Sequence, residues 1–132
     1  MIEARVRWTE AERYAGAAAG RPEVVMDAGP EKLANSPMEL VLIALCGCTA
    51  SDVVSILRKK REPFTSLEVR AEGERTESFP KVYSSIRLTY RVGGNVTHKA
   101  MEDAVSLSKE KYCSVSAMLQ KTAKIETAIE YL

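Results

Sequence analysis

Three of the 132 residues are cysteines, Cys46, Cys48 and Cys113, and one is a histidine, His98. A cysteine does chemistry as its thiolate, so the useful question is which of the three could ionise and meet a partner. Cys46 and Cys48 lie within Ser36–Leu57, SPMELVLIALCGCTASDVVSIL, which reads as a helix. Two positions on a helix differ by about 200° of rotation. The pair therefore cannot share a face, bridge to each other in an intact helix, or chelate well together. If one is functional, the other packs. Cys48 is the better candidate, because Thr49, Ser51 and Asp52 make its side of the helix the polar one, with Ser51 and Asp52 at i+3 and i+4. An ionised Asp52 would oppose a thiolate there, so a compensating cation would be needed. Cys113 sits between two helical segments, after Lys109 and Lys111 and before Ser114 and Ser116. At a helix N-terminus the dipole and free N–H groups favour a thiolate, which suits a reactive or resolving thiol. Simple packing competes with both assignments, since buried cysteines are common, and composition alone favours packing.

Other chemistries find little support. A zinc site would need His98 and all three cysteines, and the spacing 46, 48, 98, 113 matches no usual ligand pattern. No metal and no cofactor are expected. Gly93-Gly94-Asn95 is a turn, not a phosphate loop. The aromatic residues are scattered and form no stacking platform. Arg58-Lys59-Lys60-Arg61 complements the negative pole of a helix end and reads as a solvated terminus before a binding patch.

The elements that position these residues follow from hydrophobic period. Residues 2–9 alternate, with Ile2, Ala4, Val6 and Trp8 on one face, which predicts a half-buried strand. Arg13 to Ala18 and Glu23 to Asp27 predict return strands, completing a small antiparallel meander over 1–29. It has open edges and few large residues, so it is expected to pair with a second copy of the chain. Ser36 reads as an N-cap, Pro37 as the first helical residue and Glu39 as the capping-box acid, with the helix running to about Lys60. Its first half is apolar all round, which means burial on every side. Strands over 65–76 and 81–92 should form a hairpin. Thr97 should cap a helix from His98 to about Lys111, Ser114 or Cys113 should start a short helix, and Lys124 to Tyr131 should form the last strand. This order predicts a single α+β domain over 1–132, with mostly antiparallel pairing and residues 36–132 as its core.

Composition agrees with a globular domain able to bury a core without disulfides. The net charge of +1 gives no bulk electrostatic case for nucleic acid or an anionic membrane. The N-terminus has no continuous apolar stretch of a signal peptide, the longest apolar run, Leu40 to Cys46, is far short of a membrane span, and three cysteines make no secreted disulfide framework. A cytoplasmic location is expected.

Ser36-Pro37-x-Glu39-Leu40, an apolar helix bearing Cys48 ten residues after the residue that follows Pro37, and Cys113-Ser114-Val115-Ser116 late in the chain together resemble the OsmC/Ohr superfamily. That name covers osmotically inducible protein C and the organic hydroperoxide resistance proteins. The resemblance spans essentially the whole chain and includes the element order. It implies an intertwined homodimer with the two cysteine helices at its centre and active sites at the subunit interface. It also implies a thiol peroxidase. Cys48 would attack an organic hydroperoxide and become a sulfenic acid, Cys113 would condense with it to a disulfide, and an external dithiol would reduce that. Family peroxidases pair the thiolate with an arginine from the N-terminal region, held by a glutamate directly after the helix-start proline. Here Met38 stands at that position and Glu39 one residue on. Arg13 is nearest to the family arginine by distance from Trp8, with Tyr14 at the direct equivalent and Arg21 in reserve. These departures keep open a non-catalytic alternative, a module that holds a small apolar ligand in the dimer-interface pocket.

Overall fold

The computed structural model describes all 132 residues, Met1–Leu132. Strands β1 (Ala4–Glu10), β2 (Arg13–Ala18) and β3 (Val24–Asp27) form an antiparallel sheet in that order. Helix α1 (Pro37–Lys59) follows, then the antiparallel hairpin of β4 (Phe64–Arg75) and β5 (Tyr83–Gly94). Helix α2 (His98–Leu107), a π-helical turn (Ser108–Tyr112), helix α3 (Ser114–Leu119) and strand β6 (Lys124–Tyr131) complete the chain. The second sheet has the order β4-β5-β6, with β6 parallel to β5. Parallel neighbours need a crossover, and the α2–α3 segment supplies it. The observed class is the α+β arrangement that the element order predicts. The chain forms two compact units, Met1–Val41 and Leu42–Leu132.

In the first unit, a Cβ at Gly16 would fall 2.7 Å from Val6 Cγ2 on the neighbouring strand, so a larger residue there would have to displace that side chain. Asp27 is buried and accepts hydrogen bonds from the Gly29 and Leu33 N–H groups at 2.8 and 3.1 Å, which fixes the loop after β3. Ser36 and Glu39 make the expected reciprocal capping box. The Ser36 N–H donates to Glu39 Oε1 at 2.8 Å, and the Glu39 N–H donates to Ser36 Oγ at 3.1 Å. One expectation changes. Every residue of β1 is exposed within the chain, Val6 and Trp8 included, so the strand is not half-buried. A thin three-stranded sheet has nothing of its own to lay on that face.

In the second unit, α1 buries one stripe at i, i+4 spacing: Leu45, Thr49, Val53 and Leu57. Ile86, Leu88, Tyr90 and Val92 of β5 and Met101, Ala104 and Val105 of α2 share the core. Most of the remaining apolar surface of α1 is only partly covered, and Ile43 is half exposed, so burial on every side is not achieved by one chain. Although its longest uninterrupted apolar run is short, α1 as a helix is long and apolar enough to cross a membrane by length and composition. Its Thr49 and Asp52 side chains are instead hydrogen-bonded to Tyr90 and Ser108, the pattern of a core helix. Thr97 caps α2 as expected, accepting from the Ala100 N–H at 3.3 Å, while Glu62 accepts from both the N–H and the hydroxyl of Thr97. The α2 helix ends earlier than the predicted Lys111. From Ser108 the chain widens into a π turn closed by the Cys113 N–H on the Ser108 carbonyl at 2.8 Å.

Candidate active site

Cys48 and Cys113 come together in the second unit. The Cys48 side chain lies near enough to the Cys113 thiol to interact with it and raise it. α1 carries Cys48 half-buried, and the end of the π turn carries Cys113, which is 3% exposed. Cys113 is also the N-cap of α3, its sulfur accepting from the Ser116 N–H at 3.3 Å. A sulfur acceptor at a helix N-terminus occupies the place usually taken by an oxygen.

The placement of Cys113 is as predicted, and its charge is the reverse. Burial pushes the thiol up to about 11, with Cys48 and Asp52 adding to the rise, and the Ser116 N–H only partly offsets this. Cys113 therefore keeps its proton at neutral pH. Desolvation has outweighed the short helix's dipole. Cys46 is half-buried and burial raises its thiol as well, which fits packing. Ser51 turns its hydroxyl back to the Cys48 carbonyl at 2.9 Å and so serves the helix backbone.

Beside the thiols runs a buried chain of hydroxyls. Ser108 Oγ donates to Asp52 Oδ2 at 2.8 Å, Thr49 Oγ1 lies 2.8 Å from Ser108 Oγ, and Tyr90 Oη lies 2.7 Å from Thr49 Oγ1. Ser108 has one proton and gives it to the carboxylate, so Thr49 must donate to Ser108 and Tyr90 to Thr49. Burial pushes Tyr90 up to about 12, which keeps its donor in place. The chain runs one way and ends at Asp52. Ser108 joins it to the thiols, since the same residue whose side chain holds Asp52 offers its carbonyl to the Cys113 N–H. Ser116 Oγ is buried nearby in sequence and has no hydrogen-bond partner. Asp52 also lines a groove of about 360 Å³ with Ile56, Lys59, Lys60, Leu107 and Tyr112.

Arg13 and Glu39 belong to the first unit, and each has partners there. The Arg13 guanidinium pairs with Glu10 at 3.2 Å and lies 4.0 Å from Asp27, its cross-strand neighbour. Glu39 is occupied by the capping box and lies 3.7 Å from Lys32. The Ser36 backbone and side chain hold its carboxyl below the usual range. Arg21 lies after β2, at the rim of that sheet.

Sequence reading missed Tyr90 and Ser108 as members of the site. A signal was present. Tyr90 continues the core-facing alternation of Ile86 and Leu88, Ser108 continues the stripe of Met101, Ala104 and Val105, and Thr49 falls between Leu45 and Val53. Three hydroxyls at core positions of three elements must satisfy one another.

Comparison with known proteins gives consistent matches. The model of the family described as OsmC-like protein matches residues 29–128. The chain is 42% identical to Protein YhfA of Escherichia coli (strain K12) over 130 residues, covering 98% of this chain and 97% of that one. It superimposes with a TM-score of 0.91 on the crystal structure of a hypothetical protein from Aquifex aeolicus VF5, at 31% identity and covering 100% and 96% of the two chains. An organic hydroperoxide resistance protein OsmC from Legionella pneumophila shares the fold, with a TM-score of 0.75 at 14% identity over 98% and 96% of the chains.

Proposed function

The chain belongs to the OsmC-like protein family, and from that premise we propose that it is a thiol-dependent peroxidase acting on organic hydroperoxides. The observation that carries this reading is the placing of the Cys48 and Cys113 thiols near enough to influence each other. Two reduced cysteines placed near each other, one half-exposed and one buried and protonated, have the asymmetry of an attacking and a resolving thiol. Cys48 as thiolate attacks the O–O bond of R–O–OH and takes the terminal oxygen. R–O⁻ collects a proton and leaves as the alcohol, and Cys48 becomes a sulfenic acid. Cys113 condenses with it, releasing water and leaving a disulfide. An external dithiol restores both thiols. The groove beside Asp52, with Ile56, Leu107 and Tyr112 on its wall, offers apolar surface for the alkyl part of such a substrate.

The same reading makes the protein a cytoplasmic homodimer. A second copy would cover the outer surface of α1 around Ile43 and the open face of β1, both of which one chain leaves bare. Arg13, with Arg21 behind it, and Glu39 enter as the candidate cation and its carboxylate.

The test is peroxide consumption by purified protein with dithiothreitol as the reductant. Wild type should consume tert-butyl hydroperoxide, Cys48→Ser should abolish consumption, and Cys113→Ser should leave a sulfenic acid at Cys48 that a dimedone probe captures. If wild type consumes neither alkyl hydroperoxide nor hydrogen peroxide, the reading fails.

A further inference from the structure

We infer that Asp52 is the proton acceptor for Cys113 when Cys113 attacks an oxidised Cys48: α1 sets its carboxylate one turn beyond Cys48, and the Ser108 hydroxyl holds it there at 2.8 Å. The inference rests on the thiol reading above and adds a group to it. In the condensation the sulfur of Cys113 forms the S–S bond as its S–H bond and the S–O bond of the sulfenic acid break. The S–O electron pair leaves with the oxygen. The Cys113 proton passes through Asp52 to that oxygen, so water is the only by-product and no other oxidant or base is consumed.

The surroundings leave Asp52 as the group for this task. Cys113 is 3% exposed, so bulk water does not reach its proton. The polar groups tied to Cys113 directly or through one hydrogen bond are Asp52 and Thr49 on α1, Ser108 on the π turn, Tyr90 on β5 and Ser116 on α3. The hydroxyls of Tyr90, Thr49 and Ser108 are committed as donors in a single direction that ends on Asp52. The carboxylate is the only base among them. It also lines the groove that Lys59 and Lys60 border, so a proton it takes up can exchange with solvent. Lys60 is already paired with Asp103 at 3.4 Å.

Charge and proton transfer make opposite demands, which makes the test decisive. The negative charge of Asp52 helps to keep Cys113 protonated. If Asp52 acted through charge alone, removing it would ease ionisation of Cys113 and speed its attack. If Asp52 takes the proton, removing it slows the attack.

The experiment uses full-length protein in a Cys46→Ser background, with Cys48 converted to its mixed disulfide with thionitrobenzoate. Attack by Cys113 releases thionitrobenzoate, which is followed by absorbance, and a Cys113→Ser control confirms that the release is intramolecular. Asp52→Asn retains an acceptor for Ser108 and cannot take the proton. Release should slow by about 100-fold at neutral pH, the scale of general-base catalysis. Asp52→Glu should recover part of the rate, and far-UV circular dichroism should match wild type in both variants. Unchanged or faster release from Asp52→Asn would overturn the inference. The exchange needs no hydroperoxide. A protein inert toward hydroperoxides but with Asp52-dependent exchange would refute the peroxidase reading and leave this one standing.

Discussion

Thr49→Val tests the hydroxyl chain that braces the site. Thr49 is 1% exposed and its hydroxyl serves two partners at once, Tyr90 at 2.7 Å and Ser108 at 2.8 Å. Valine has nearly the same shape, so the change leaves no cavity and the cost is polar. Tyr90 is fully buried, and its hydroxyl would lose its only acceptor, at about 1–3 kcal/mol. Ser108 would lose an incoming bond while keeping its own to Asp52, at about 0.5–1.5 kcal/mol. The single variant should therefore lose about 1.5–4.5 kcal/mol. Tyr90→Phe removes the donor and orphans nothing, so it should cost only about 0.5–1.5 kcal/mol. The double variant should be more stable than Thr49→Val alone, because no hydroxyl is left stranded, with a coupling of about 1–3 kcal/mol. Urea unfolding at one fixed protein concentration measures all four corners of the cycle, since self-association would otherwise shift the midpoints. Costs that simply add, or a Tyr90→Phe loss equal to that of Thr49→Val, would refute the one-way chain.

Two further outcomes are expected. In a Cys46→Ser, Cys48→Ser protein, alkylation of Cys113 by iodoacetamide should be slow at neutral pH and rise about tenfold per pH unit. Because a raised thiol pKa means less thiolate at any lower pH, and burial is its largest cause and survives these changes, the midpoint should stay above about 9; a midpoint near the usual thiol value would contradict the burial account. Ile43→Glu places a charge on the uncovered face of α1, where the chain itself buries little. If the proposed homodimer uses this face, analytical ultracentrifugation should show dimers for wild type and monomers for the variant, with the circular dichroism spectrum unchanged, and an unaffected dimer would place the interface elsewhere.

Local chemistry was legible in the sequence wherever the signal was local. The Ser36–Glu39 capping box and the Thr97 cap need only a hydroxyl and an acid at the right spacing, and both are present as read. Strand limits followed the period-two pattern, with β6 beginning at Lys124 and ending at Tyr131. The family resemblance pointed to Cys48 and Cys113, and the fold sets their side chains near each other. The charge state of Cys113 was not legible. A helix N-terminus can be read from Cys113-Ser114-Val115-Ser116, but the depth of burial that overrides it depends on what the rest of the unit lays over the thiol.

By itself, then, the sequence determined the order and type of the elements and the caps that start them, because each of these depends on residues a few positions apart. Only the tertiary structure decided the hydroxyl chain. Tyr90, Thr49 and Ser108 come from β5, α1 and the π turn, and their sequence separations of 41 and 59 residues carry no local pattern. The π turn belongs to the same class. It widens the helix at Ser108, whose hydroxyl is fastened to Asp52 on another helix while its carbonyl receives the Cys113 N–H. A polar group in a dry interior must find a partner, and which partner it finds is settled by packing across elements.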